Sequence, residues 1–179
     1  MKLGCSLVNP VPNHRITTPY RKEGKLWKLG YHTGIDYKAA TGTNVVAAQA
    51  GRVLEVSQRV SWGEAYGTAV IVLHRDMTRA IYAHLSKTNV VKGQALEMGD
   101  RIGKVGNTGN STGSHLHFEV RKGNNGNGDG YKYGDDVDPM PYLSDDEVFI
   151  PLPWKDNNAK PTKSTNTKKP RRPSGSSSK

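Results

Sequence analysis

The stretch NSTGSHLHFEV, residues 110–120, sets His115 and His117 one residue apart in a run that alternates like a β-strand. Side chains on a strand change faces with a period of two, so both imidazoles point the same way. Two imidazoles on one face are poor core material and good metal-binding material. The stretch YHTGIDY offers further donors: His32 and Asp36 lie four residues apart around Gly34, and a ring nitrogen with a carboxylate oxygen at that spacing can grip one ion from a tight turn. A third histidine segment, YAHLS, places His84 at the end of another strand-like run. Histidine and aspartate from three separate segments are natural zinc ligands, and three protein ligands plus water make a catalytic rather than a closed structural site. With Cys5 as its single cysteine, the chain has neither a thiolate pair for a structural zinc nor an internal disulfide. His14 and His74 stand alone, and a polar residue such as His74 is ordinary at a hairpin tip.

These side chains need a scaffold, and the rest of the sequence describes one. Residues 1–30 are punctuated by Pro10, Pro12, Pro19, Gly24 and Gly30 and read as turns. Strand-like runs follow at 43–58 around Gly51, at 100–109 and at 115–123, with 67–75 and 79–86 forming a hairpin about Asp76, Met77 and Thr78. No stretch carries a helical period over three turns. Short strands separated by Gly and Asn turns predict an all-β domain of packed antiparallel sheets with long loops, over roughly residues 10–150. The polar stretch GNNGNGDGYKYGDDVDP (123–139) reads as a solvated insertion. A calcium-loop reading would use Asn125, Asn127, Asp129, Gly130 and Asp136, but its end residues are Asn and Asp where Asp and Glu are usual, and no helices flank it.

The 179 residues carry a net charge of +10, unevenly spread. From Lys155 onward eight Lys or Arg face one acid, Asp156, so the last 25 residues hold +7 of it. Residues 151–179 are rich in Lys, Pro, Ser, Thr and Asn, cannot bury enough apolar surface to offset their ordering entropy, and are expected to be a disordered basic tail. The tail reads as a solvated terminus, with electrostatic attraction to a polyanion such as RNA, DNA or an anionic cell wall as its functional alternative. It gives no ground for a specific nucleic-acid partner, and GKVGNTGNSTG lacks the ending of a phosphate loop. No apolar run approaches the ~20 residues of a membrane span, and the N-terminus has no secretory apolar region. A monomer is expected.

The motifs in their order, HTGID followed far downstream by SHLHFEV, resemble those of peptidase family M23, the LytM or lysostaphin type. ITTPY, GTNVVAAQAGRV, YAHLS and GKVGNTGNSTG extend the resemblance over about residues 16–143. It implies a compact antiparallel β fold and a zinc metalloendopeptidase that cuts peptide bonds in bacterial cell-wall peptidoglycan. By position, His32, Asp36 and His117 resemble the family's zinc ligands, and His84 and His115 its two catalytic histidines. Zinc lowers the pKa of bound water toward ~7. One histidine can then move protons while the other steadies the oxyanion, and the sequence leaves open which is the base. Many members carry a tyrosine before the first zinc histidine; Tyr20 and Tyr31 are the candidates here, and neither is assigned. Glu119 shares the face of His115 and His117 and is expected beside the site rather than as a ligand. A wall-cutting enzyme without a leader fits a phage endolysin held in the host cytoplasm until release to the wall. The rivals are a catalytically inactive LytM-like domain that binds the wall or activates another hydrolase, and a biotinyl- or lipoyl-carrier-like domain. All five site positions are filled, against the first; the lysine hairpin of a carrier is missing, against the second.

Overall fold

A computed structural model describes residues 6–58, 63–123 and 134–144, and every structural statement below concerns these. Cys5, the tail, and Asn125, Asn127, Asp129 and Gly130 of the calcium-loop reading lie outside them. The strands are β1 (Ile16–Thr18), β2 (Ile35–Lys38), β3 (Asn44–Val46), β4 (Gly51–Ser57), β5 (Ala69–His74), β6 (Thr78–Ala83), β7 (Leu85–Thr88), β8 (Ala95–Leu96), β9 (Arg101–Val105), β10 (His115–Lys122) and β11 (Asp136–Val137). The large sheet runs in the order β1-β2-β10-β6-β5-β4-β8 with β11 also on β10, and a small sheet has the order β3-β9-β7. All of these strand pairings are antiparallel, and only two 3-10 turns break the β character of the described residues. The all-β antiparallel expectation holds.

Alternation along β10 divides the molecule. Leu116, Phe118 and Val120 point into the core, where they meet Ile35 and Tyr37 of β2, Tyr82 of β6, Val70 and Val72 of β5, and Val45, Leu85, Ile102 and Val105 of the small sheet. His115, His117, Glu119 and Arg121 occupy the other face. There a second apolar cluster, Tyr66, Ala69, Ile71, Ile81 and Ala83, packs beside them. One face thus builds the core while the other is free for chemistry.

Two backbone features set the site's register. β2 approaches β10 so closely at Gly34 that a Cβ there would fall 2.4 Å from the Phe118 carbonyl oxygen and 3.0 Å from Cε1 of His117. The second corrects the sequence reading: 79–86 is not one strand. His84 adopts φ 60°, a left-handed conformation that costs a non-glycine residue on the order of 1–3 kcal/mol. It turns the chain out of β6 and sends β7 into the small sheet. Backbone bonds from His84 N to Tyr66 O (2.9 Å) and Leu85 N to Thr68 O (2.9 Å) hold the turn. Leu7 and Val8, just ahead of the expected boundary, are buried, and Leu7 bridges to Leu143.

Candidate metal centre and active site

Cross-strand register assembles the site. His117 on β10 lies opposite Asp36 on β2 and, on its other flank, opposite Ala83 on β6, which His84 follows. His32 comes from the loop that enters β2. The turn expected for His32 and Asp36 is therefore a loop running into a strand, with Asp36 fixed by the sheet.

The donor atoms of His32, Asp36 and His117 converge. Asp36 Oδ1 is 3.0 Å from Nε2 of His32 and 3.0 Å from Nδ1 of His117, and the two ring nitrogens are 2.9 Å apart. Hydrogen bonds on the far side of each ring fix what these atoms carry. Nδ1 of His32 donates to the Pro19 carbonyl (3.0 Å), and Nε2 of His117 donates to Oε2 of Glu119 (3.2 Å). With both ring protons committed outward, two lone pairs and a carboxylate oxygen face one another in a largely buried space. Such a cluster is repulsive without a cation at its centre. Two neutral imidazoles and a carboxylate, each oriented from behind, suit zinc.

Without a metal the group relieves this repulsion by taking up a proton. Burial would raise the Asp36 carboxyl, but hydrogen bonds and charge from His117 and His32 hold it well below the carboxylate range. Burial would lower His117, but Asp36 and then Glu119 push it up to about 9. In the metal-free protein the positive charge is a proton on Nδ1 of His117, facing Asp36 Oδ1 at 3.0 Å, and a metal ion held at the same point would take its place.

Glu119 lies beside the centre as the sequence suggests, but it is the hub of a network that the sequence did not reveal. Its carboxylate is fully buried and accepts from Thr33 Oγ1 (2.7 Å), Tyr66 OH (2.8 Å) and His117, while its other oxygen takes Nε of the equally buried Arg121. Arg121 also donates to Tyr66 OH (2.9 Å). Burial works to raise Glu119, yet His117, Arg121 and Thr33 hold it below its ordinary value. Arg121 falls two residues along the same face, a signal visible in the strand period; Tyr66 and Thr33 gave none.

His84 and His115 stand together, ring centroids 4.6 Å apart. Each donates through Nδ1 to a backbone carbonyl, His84 to Thr108 (2.7 Å) and His115 to Gly113 (2.8 Å), so each presents Nε2 to the site. His115 Nε2 lies 3.8 Å from Asp36 Oδ1. Burial first, then the charges of His117 and His115, push His84 down to about 3, so it is a neutral imidazole whose Nε2 carries a lone pair. All five expected residues line one cleft of about 300 Å³, shared with Trp27 and Leu29 from one loop and Asn110 and Ser111 from another.

The two candidate tyrosines are engaged elsewhere. Tyr20 OH and Tyr31 OH donate to the Asp136 carboxylate at 2.9 and 3.3 Å, with Arg21 3.8 Å away. Asp136, the last position of the calcium-loop reading, is thus occupied in clasping residues 20–31 to β11. His14 keeps its Nδ1 on the Pro12 carbonyl (3.0 Å). His74 is buried rather than exposed at a tip, with Nδ1 3.0 Å from Thr78 Oγ1 and no partner for Nε2 among the described residues. No helix of the described residues is long and apolar enough to cross a membrane.

Comparison with known proteins gives one answer. The family model described as Peptidase family M23 matches residues 30–139. The DD-carboxypeptidase/endopeptidase Mpg of Neisseria meningitidis serogroup B is 39% identical over 116 residues, which cover 64% of this chain and 26% of that protein. The match therefore spans about a quarter of that relative's length. The catalytic domain of the antimicrobial peptidase lysostaphin from Staphylococcus simulans superposes with a TM-score of 0.64 at 31% identity, covering 73% of this chain and 92% of that domain. A zinc-containing peptidase from Vibrio cholerae gives a TM-score of 0.60 at 27% identity, covering 75% of this chain and 39% of that one.

Proposed function

The chain belongs to peptidase family M23, and from that premise we propose that it is a zinc-dependent endopeptidase hydrolysing peptide bonds in bacterial cell-wall peptidoglycan. One observation carries the reading: a three-donor cluster, His32, Asp36 and His117, at a cleft into which two further histidines each present Nε2. A relative from Vibrio cholerae named as a peptidoglycan DD-endopeptidase, 33% identical over 102 residues, and the antimicrobial peptidase lysostaphin among the structures support the substrate class.

His32, Asp36 and His117 would hold zinc. When bound, it supplies a Lewis acid for the scissile carbonyl and an acidified water. The remaining chemistry belongs to the chain. His115, beside Asp36, accepts a proton at Nε2 and returns it to the leaving amine, its Nδ1 hydrogen anchored on Gly113 throughout. His84 lies against His115 with its Nδ1 hydrogen on the Thr108 carbonyl, so its Nε2 lone pair accepts a hydrogen bond in the cleft and helps orient the water whose proton His115 takes. Glu119 holds the His117 ring in the tautomer that leaves Nδ1 free for the metal.

The test is mass spectrometry of purified walls of different cross-link chemistry after digestion by zinc-loaded protein, with a chelated control. New peptide amino and carboxyl termini, lost on chelation and restored by zinc, are expected. Binding to walls without new termini would overturn catalysis and favour a domain that only docks there.

A further inference from the structure

His32 is the one metal donor outside the sheet. Asp36 and His117 are fixed by strand pairing, whereas His32 closes an arm, residues 21–32, that doubles back on itself. Arg21 N donates to His32 O (2.9 Å), His32 N to Lys22 O (2.9 Å), and Gly24 N to Gly30 O (3.0 Å). The base of the arm is clasped by Asp136 through Tyr20 and Tyr31. Its tip holds Leu26, 66% exposed, and then Trp27, which folds back toward the cleft. The Trp27 ring reaches the imidazole of His32 at 5.1 Å between centroids and a 34° tilt, while His117 meets the same imidazole at 4.9 Å. Trp27 can seat there because residue 24 has no side chain: a Cβ on Gly24 would lie 2.7 Å from Cζ3 of Trp27.

We propose that Trp27 is a positioning residue for the metal centre: seated over Gly24, its indole holds the His32 imidazole so that Nε2 faces Asp36 and His117. The hydrogen bond to Pro19 holds the ring at Nδ1, and contact with Trp27 packs against its face and covers the imidazole, which is only 1% exposed. The inference rests on the zinc reading above and adds a residue to it.

The experiment measures zinc affinity directly, by competition with a chromogenic chelator, for the wild type, Trp27→Ala, Trp27→Phe and Gly24→Ala. Residues that orient metal ligands typically contribute about 10–100-fold in affinity, and Trp27→Ala is expected to weaken zinc by that factor. Trp27→Phe keeps a ring and should restore most of the loss. Gly24→Ala leaves the arm's bonds in place but displaces the indole, so it should shift affinity in the same direction as Trp27→Ala. Thermal unfolding of the metal-free proteins separates this from a packing role, which lowers the melting temperature without changing zinc affinity. Zinc affinity in Trp27→Ala and Gly24→Ala within about twofold of wild type, with both folded, would overturn the proposal, since it lies below the usual range for such residues. A wild type that itself fails to bind zinc would instead remove the metal-site reading on which it stands.

Discussion

Replacing Glu119 with glutamine removes a negative charge from a position with no access to water. The carboxylate meets four donors: Thr33 at 2.7 Å, Tyr66 at 2.8 Å, His117 at 3.2 Å, and Arg121 on the other oxygen. An amide in its place turns one acceptor into a donor among donors and takes from the buried Arg121 the carboxylate it faces. Removing one partner of a buried ion pair costs about 3–5 kcal/mol. In a domain of this size each kcal/mol is worth a few degrees, so the metal-free Glu119→Gln protein should melt roughly 10 °C below wild type. The same change frees the His117 tautomer, and zinc affinity should fall about 10–100-fold. Tyr66→Phe grades the effect: it deletes one hydroxyl of the network and should cost about 1–2 kcal/mol. Circular-dichroism melts of metal-free protein near neutral pH, paired with chelator competition, read both quantities. Because Glu119 is held below its ordinary value, its stabilisation is complete above the unfolded pKa of ~4.3 and disappears as pH falls through the lower folded one. A Glu119→Gln protein within about 1 kcal/mol of wild type, with unchanged zinc affinity, would refute the network as drawn, because it falls outside the cost of breaking a buried pair.

Other perturbations follow from the same geometry. His115→Ala should keep zinc yet lose on the order of 10²–10⁴ in turnover on soluble peptides, the usual contribution of a general acid–base group. Gly34→Ala must push β2 off the Phe118 carbonyl; it should cost about 1–3 kcal/mol and, by parting Asp36 from His117, release zinc measured after gel filtration. Burial pushes His74 down to about 4, so the unfolded chain binds the extra proton as pH drops from ~6.5 toward that value. Urea unfolding should then show up to about 3 kcal/mol lost across that window and a flatter profile in His74→Leu.

What the sequence displayed were the features that depend on short spacing. HLH announces a shared face because strand alternation is a property of the backbone, and the same period leads on to Glu119 and Arg121. HTGID was legible as a donor pair, though not that Asp36 sits on a strand directly opposite His117. The break at His84 was hidden because no glycine marks that left-handed turn: YAHLS has the composition of an unbroken strand. Partners from distant segments were invisible for a different reason. Thr33 and Tyr66 reach Glu119 across 86 and 53 residues, and only the packed sheets bring them there. Trp27 and Asp136 were read as loop residues, one in a turn-rich opening and one at the end of a polar, Gly- and Asn-rich insertion. Their roles come from what they touch, His32 in one case and two tyrosines in the other.

The central claim, that His32, Asp36 and His117 hold a catalytic zinc, is tested most directly by metal analysis of purified protein. Inductively coupled plasma mass spectrometry should find about one zinc per chain in the wild type and in His115→Ala, as a three-ligand open site requires. It should find none retained in His117→Ala after the same purification, with that variant still folded by circular dichroism. Stoichiometric zinc in His117→Ala, or its loss from His115→Ala instead, would contradict the assignment of ligand and proton-moving roles to this histidine pair.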